Sequence, residues 1–151
     1  MLTDLGCAYQ RGEALQLFYR TVEETGAVSG LSTVHLGTAH EALVDMNCLP
    51  SVLVCPINPK GYMMSPSQQR CLKILQEQSQ VTVIAKEAQA GGTLSAEEAV
   101  PYALSQAGVA GVVVSFGSAS EAWAALSQCQ KLMDGLLEAG VELVTRGRAA
   151  I

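Results

Sequence analysis

The chain of 151 residues is long enough to bury a core, and its length predicts a single domain over residues 1–151. Hydrophobic residues make up 49% of it and charged residues only 15%, with a net charge of -5 at pH 7. Nucleic acids and anionic membrane surfaces attract clustered cations, so this balance argues against both as partners. No apolar run reaches the ~20 residues of a membrane span, and no signal peptide is expected at the start. We therefore expect a cytoplasmic protein.

Five cysteines are present, at Cys7, Cys48, Cys55, Cys71 and Cys129. No pair of them has the C-x-x-C spacing of a zinc site, and the chain has only 2 histidines. The sequence therefore predicts no metal site. We expect buried thiols in a reducing compartment, since nothing in the sequence places a base beside a cysteine.

The first elements alternate between strand-like runs and helix-like spacing. The segment LTDLGCAY predicts a short strand, although its signal is weak. RGEALQLFYRTVEETG predicts a helix that ends at Gly26. AVSGLST predicts a strand, and GTAHEALVDM predicts a short helix with Thr38 as its N-cap.

The middle of the chain repeats the pattern. SVLVCPIN predicts a buried strand that Pro56 and Pro59 end. After a loop, Ser65 is expected to cap a helix from Pro66 to about residue 78, because proline is tolerated in the first turn of a helix.

The last elements have the clearest signals. VTVIAK predicts a strand, and Ser95 with Glu98 predicts a capping box for a helix through Gln106. VAGVVVSF predicts another strand, after which either Ser118 or Ser120 opens a long helix. The tail after residue 140 gives no clear pattern.

Strands that are apolar throughout and alternate with helices predict an α/β fold with a parallel sheet covered by helices. An open doubly wound sheet is the usual arrangement at this length. In parallel sheets the site lies at the carboxyl ends of the strands. Two turns there, Ala90-Gly91-Gly92 and Phe116-Gly117-Ser118, combine glycine with backbone amides that suit a phosphate. Ordinary turn chemistry is an equal alternative.

Three segments of the sequence resemble one family. VIAKEAQAGGTLSAEEAVPYALSQAGVAGVVVSFGSASEAWAAL is similar to the C-terminal segment of aldo-keto reductases, which often reads V-I-A-M-K-P-L-A-G-G and then P-E-E-A-L. GAVSGLSTVH resembles that family's G-x-I-R-x-I-G-x-S-T-H strand, and VLVCPINPKGY its V-Q-x-P-Y-N-P strand. The three segments occur in the family's order, from about residue 12 to residue 126.

The resemblance implies half of a (β/α)8 TIM-type barrel, with about four to five βα units. Its strands five to eight would be residues 27–32, 51–58, 81–86 and 109–115, and LTDLGCAY would be strand four or a remnant of it. The family's catalytic aspartate, tyrosine and lysine belong to the first half of the barrel, which this chain does not match. The family's catalytic histidine, at the end of strand four, also has no counterpart. We therefore expect an NADP(H)-associated, oxidoreductase-like chain without reductase activity of its own.

The same resemblance implies a set of cofactor-binding residues. Ser32 and Thr33 would hold the nicotinamide carboxamide, and Lys86 stands where the family has an aromatic residue or methionine facing the site. The remaining implied contacts are to the cofactor phosphates, with Gly91 and Gly92 at the pyrophosphate and Gly117 and Ser118 at the adenosine phosphate. Val54 replaces the family's glutamine and Ala88 its proline, so we expect weak NADP(H) binding.

Three residues admit a chemical role beside a plain structural one. Lys86 ends an apolar strand, where it could act as a base or a Schiff-base nucleophile, or be a solvated strand-end lysine. His35 lies in a turn, where it could titrate against a ligand or be an ordinary surface histidine. Tyr62 could close over a site, but Met63 and Met64 beside it suggest packing.

A half barrel leaves its first and last strands without neighbours and its inner face without an opposite wall. We therefore expect a homodimer or higher homo-oligomer formed through the open strand edges. A non-enzymatic oligomerising or ligand-binding half-barrel module is the alternative function. A dinucleotide or a phosphate is the expected ligand.

Overall fold

The computed structural model describes residues 2–78 and 80–138. The chain divides into two compact units, Met1–Val114 and Ser115–Ile151. The first unit contains α1 (Leu2–Ala8), α2 (Gly12–Glu23), β1 (Gly30–Ser32), α3 (Leu36–Asp45), β2 (Val52–Pro56), α4 (Gln68–Glu77), β3 (Thr82–Lys86), α5 (Ala96–Leu104) and β4 (Val109–Val112). In the second unit the structure describes one helix, α6 (Ala119–Glu138).

The four strands form one parallel sheet in the order β1-β2-β3-β4. Each strand pairs with the next one along the chain, with a helix between them. Crossovers between parallel strands are right-handed, so a sheet that grows in one direction carries its crossover helices on one face. The predicted α/β class and the parallel sheet are confirmed, and the sheet lacks the reversal of strand order that defines a doubly wound fold.

One face of the sheet is packed in the core and the other is partly exposed. Residues at alternate positions of the strands are buried and belong to the same apolar cluster as the helix residues, namely Leu31, Leu53, Cys55, Val83 and Ala85. The residues between them, from Gly30 and Ser32 on β1 to Ile84 and Lys86 on β3, keep part of their surface in solvent, except for Pro56 on β2, which is buried and pairs with Lys86. The sheet therefore has a helix-covered face and an open face.

The helices that cover the sheet follow the expected amphipathic pattern. Leu15 and Tyr19 on α2 are buried, and the Tyr19 hydroxyl donates to the Cys48 carbonyl at 2.9 Å. Leu43 on α3 and Cys71 on α4 are fully buried. Since these side chains recur every three or four residues, each helix presents one apolar stripe to the core.

The predicted amino-terminal strand is wrong, because LTDLGCA forms helix α1. Cys7 of this helix is buried, and Gly6 lies against the side chain of Leu15 on α2. Helix α1 also packs against α3. Periodicity alone does not separate a short apolar strand from a short buried helix, so packing against α2 and α3 decides the conformation.

Two predicted helix starts are also wrong. Helix α3 begins at Leu36 with His35 as its N-cap, and Thr38 lies inside the helix. Helix α4 begins at Gln68, because the Ser67 hydroxyl accepts from the Arg70 amide at 3.2 Å. The carbonyl of Ser65 instead accepts from the amide at the start of α3 at 3.1 Å. The contact between the two helix starts thus replaces the local cap that the sequence predicted.

Other predicted boundaries hold or move by a few residues. The capping box of Ser95 and Glu98 is confirmed, although α5 ends at Leu104. The four strands of the half-barrel prediction are present in shorter form. Ser118 caps α6, since its hydroxyl accepts from the Glu121 amide at 3.2 Å. The tail after residue 140 lies outside the described residues.

Within the part of the chain that the structure describes, no helix is both long enough and apolar enough to cross a membrane.

Candidate functional site

A lysine crosses the open face of the sheet at the carboxyl ends of the strands. Lys86 is the last residue of β3, and its Nζ donates to the Ser32 hydroxyl at 2.9 Å. Ser32 ends β1, so the lysine side chain spans β2, where Val54 is partly exposed between them. The structure thus brings together Ser32 and Lys86, two of the residues that the resemblance implied.

The Lys86 ammonium has no acidic partner within the described residues, where the salt bridges join Arg70 to Glu41 and Lys73 to Glu77. Its hydrogen-bond partner is a neutral hydroxyl. A positive charge on a partly desolvated, mainly apolar face favours an anion nearby, because the local dielectric is lower than that of water. This part of the site can therefore hold a carboxylate or a phosphate.

The loop after β2 is fixed by a buried asparagine. Asn58 has no exposed surface, and its side-chain nitrogen donates to the Tyr62 carbonyl at 2.9 Å and to the Glu87 carbonyl at 3.1 Å. Its side-chain oxygen accepts from the Tyr62 amide at 2.8 Å. Gln68 donates to the Asn58 carbonyl at 3.0 Å. These bonds tie the loop after β2 to the turn after β3.

The turn after β3 has an unusual backbone. Glu87 and Ala90 have φ angles of 52° and 50°, and Gly91 and Gly92 have 68° and 82°. A β-carbon added at Gly91 would lie 3.2 Å from the Tyr62 ring, whereas at Gly92 it would meet nothing within 4 Å. The close approach at Gly91 is therefore made by the Tyr62 ring.

Thr33 is directed into the first unit and away from the open face. It has no exposed surface, and its hydroxyl donates to Asp4 of α1 at 2.5 Å and accepts from the His35 amide at 2.9 Å. Asp4, Cys7 and His35 line a small cavity of about 150 Å³ beside this group. Such a volume is below the range of sites for drug-sized ligands. The Thr33 hydroxyl is therefore occupied by contacts within the chain.

In the turn that precedes α6, the backbone amide of Gly117 already has a hydrogen-bond acceptor within the chain. The Gly117 amide donates to the carboxylate of Glu121 at 2.8 Å, and Ser118 caps the same helix. The N-terminus of α5 is capped in the same way, since the Ser95 amide donates to the Glu98 carboxylate at 3.2 Å. Carboxylates in the first turn of a helix satisfy the donors and the dipole that would otherwise attract a phosphate. The turn at Gly117 is therefore a poorer phosphate site than the sequence suggested, and the helix that follows the Gly91-Gly92 turn has its N-cap amide satisfied.

The four cysteines whose side chains the structure describes do not offer reactive thiols. Cys7, Cys48, Cys55 and Cys71 are buried and unpaired, and burial raises the pKa of Cys55 to about 12. Burial also raises the pKa of Cys7 and Cys71, with Asp4 adding to the effect at Cys7. In the described ranges no group of His, Cys, Asp and Glu side chains could hold a metal ion.

Sequence reasoning missed Asn58 and Asp4. Asn58 stands in the quoted VLVCPINPKGY segment, where an asparagine between an apolar run and a proline is a signal for a turn-forming side chain. Asp4 had no local signal, since its partner Thr33 lies 29 residues away. The site residues in the second unit, Gly117 and Ser118, lie in the turn just before α6.

Comparisons with family models, with curated proteins and with solved structures find no match for this chain. The resemblance to aldo-keto reductases therefore remains a prediction from the quoted segments.

Proposed function

We propose that this chain is an aldo-keto-reductase-like half barrel that binds NADP(H) at the carboxyl ends of its strands and does not act as a reductase by itself. The order of the sheet supports the half barrel, because consecutive βα units with helices on one face also build a (β/α)8 barrel. The open face of the sheet would be the interior of that barrel.

The observation that carries the proposal is the ammonium of Lys86 on this open face, paired with the neutral hydroxyl of Ser32. A dinucleotide brings several phosphate charges, so it would compensate the lysine, and the Ser32 hydroxyl would orient a polar group of the ligand. The fit is only partial, since the Glu98 carboxylate occupies the Ser95 amide that follows the Gly91-Gly92 turn. We therefore expect weak affinity.

This proposal assigns cofactor binding, and not hydride transfer, to the chain. The motifs that carry the resemblance belong to the family's cofactor half. Bound NADPH would supply a hydride, and the residues named here would hold and orient it beside the open face. No described residue is proposed as the proton donor to a substrate.

The test is titration of the purified protein with NADPH, following nicotinamide fluorescence and the emission of Trp123. We expect saturable binding that Lys86→Gln weakens by at least about tenfold, because a charge-assisted hydrogen bond contributes roughly 1.5–3 kcal/mol. Lys73→Gln is the matched control, since Lys73 is an exposed lysine of α4 paired with Glu77. Absence of saturation at millimolar NADPH, or equal affinity of the Lys86→Gln variant, would rule the proposal out.

A second candidate function is assembly. The occupied amides of Ser95 and Gly117 favour it, because they weaken the case for a phosphate ligand. In that case the open edges of β1 and β4 would pair with the edges of a second copy. Two four-stranded sheets related by a twofold axis would give eight parallel strands, the number in a closed barrel. We propose that the partner at these strand edges is a second copy of the chain, which gives a homodimer.

Sedimentation at low micromolar concentration tests the assembly. A dimer that persists without NADPH would favour the assembly function, and a species of monomer mass alone would exclude it. The two candidates are separable, because NADPH titration and sedimentation report on different surfaces.

A further inference from the structure

The loop after β2 holds an aromatic side chain in a fixed position at the carboxyl ends of the strands. Asn58 binds both the amide and the carbonyl of Tyr62, so the backbone of Tyr62 is fixed from both sides. Asn58 is fully buried and also binds the Glu87 carbonyl in the neighbouring turn. Because Asn58 is buried, its hydrogen bonds hold the backbone of Tyr62 in one position.

One side of the phenol is supported by the chain itself. The ring atoms of Tyr62 approach Gly91 so closely that a β-carbon there would lie 3.2 Å from Cζ and 3.4 Å from the hydroxyl oxygen. The φ of Gly91 is 68°, which favours glycine at this position. Tyr62 nevertheless keeps 45% of its surface exposed. A supported ring with an exposed side is suited to stacking.

Packing of the loop does not require this tyrosine. Met64 is the loop residue that enters the core, with 4% of its surface exposed, and its sulfur accepts from the Asn58 amide at 3.5 Å. Tyr62 and Met63 remain outside the core. The Tyr62 hydroxyl makes no hydrogen bond within the described residues, so it is available to a ligand.

Backbone strain is concentrated in the same two loops. Among the described residues other than glycine, five have positive φ, and three of these are Met63, Glu87 and Ala90. Strained residues persist where the surrounding structure holds them, and they cluster at functional sites. This distribution is consistent with a functional role for the junction of the two loops.

We propose that Tyr62 is a stacking platform for a planar aromatic ring of the ligand. Where that ring belongs to NADP(H), the inference rests on the proposed function above. The aromatic ring of the ligand lies against the exposed side of the Tyr62 phenol. The Tyr62 hydroxyl donates a hydrogen bond to a polar atom of the ligand outside that ring.

Two probes separate this inference from the proposed function. NADPH carries planar rings and phosphates, whereas riboflavin carries a planar ring without a phosphate. We expect Tyr62→Leu to weaken the binding of a planar probe by at least about fivefold, in keeping with the loss of one stacked ring. Tyr62→Phe keeps the ring but loses the hydroxyl donor, so it should bind more weakly than the parent chain and more tightly than Tyr62→Leu.

Tyr9→Leu is the control, because Tyr9 is an exposed tyrosine between α1 and α2, and it should leave both affinities unchanged. Tyr62→Met serves as the second non-aromatic variant if Tyr62→Leu does not fold. If riboflavin binds in a Tyr62-dependent way and NADPH does not bind, the platform stands and the proposed function fails. If NADPH binds equally to the parent chain and to the non-aromatic variants, the platform fails and the proposed function stands. If neither probe binds the parent chain, both fail.

Discussion

At the scale of single residues, the site depends on polar groups whose partners differ in kind. Asn58 is buried, and its side chain is satisfied by backbone groups of two loops. Lys86 is partly exposed and has a hydroxyl as its partner. A buried amide with all its hydrogen bonds made stabilises one geometry, whereas an ammonium without a counter-ion favours a ligand. Asn58 is therefore structural, and Lys86 is the residue to which our proposal assigns ligand binding.

The two neighbouring glycines give a residue-scale prediction that isolates the contact with Tyr62. Gly92→Ala should lower the free energy of unfolding by about 1 kcal/mol, because a positive φ is unfavourable for alanine. Gly91→Ala should cost more, since its β-carbon also presses on the Tyr62 ring at 3.2 Å. Urea unfolding of both variants measures the difference. Equal losses would show that the ring moves away freely.

A histidine of α3 gives a prediction for pH. Burial, followed by the charge of Arg70, lowers the pKa of His40 below its ordinary value of 6.5. The unfolded chain then binds a proton more readily than the folded chain. The contribution of neutral His40 to the free energy of unfolding is therefore fully present above pH 6.5. It is lost as the pH falls from 6.5 through the lower pKa of His40 in the folded chain.

Urea unfolding between pH 7.5 and pH 5 measures this effect. The parent chain should lose more stability over this interval than His40→Gln, which cannot titrate. His35→Gln is the control, because His35 is exposed. Parallel curves for the parent and His40→Gln would contradict the prediction.

At the scale of elements, helix starts show where local sequence and tertiary contact compete. The Ser95 box forms as predicted because all of its groups lie within four residues. The start of α3 does not use Thr38, because the Ser65 carbonyl accepts from an amide of that helix. A local cap is therefore predictable, and a cap supplied by a distant loop is not.

The capping box also gives an element-scale prediction. Ser95→Ala should lower the free energy of unfolding by about 1 kcal/mol, since the Glu98 amide loses its acceptor. Ser95→Asp keeps a side-chain acceptor and should retain most of the stability. Thermal unfolding of the two variants beside the parent chain measures both effects. An equal loss in Ser95→Asp and Ser95→Ala would show that the lost side-chain acceptor is not the cause.

At the scale of the whole molecule, the core belongs to one part of the chain. Every member of the main apolar cluster lies between residues 7 and 112, inside the unit Met1–Val114. A cluster of this kind is what an independently folding unit needs. The sheet and the Lys86–Ser32 pair lie in the same unit.

We therefore predict that a fragment of residues 1–114 folds by itself. It should show helix and strand signals by circular dichroism and unfold in one cooperative transition. Its melting temperature, compared with that of the full chain, reports how much the second unit contributes. A fragment without a cooperative transition would show that the core needs the rest of the chain.

The sequence by itself determined the class of the fold and the alternation of its elements. Apolar runs such as SVLVCPIN and VTVIAK predicted buried parallel strands, because a strand covered by helices is apolar throughout. The sequence also placed Lys86 and the glycine turns at the carboxyl ends of the strands. These features depend on local spacing and composition, which a single sequence contains.

Only the tertiary structure decided which of those residues meet. The pairing of Lys86 with Ser32 joins residues 54 positions apart, and the bond between Thr33 and Asp4 joins residues 29 apart. LTDLGCA forms a helix and not the predicted strand, because it packs against α2 and α3. Contacts between distant residues depend on how the layers pack, and local periodicity does not record that packing.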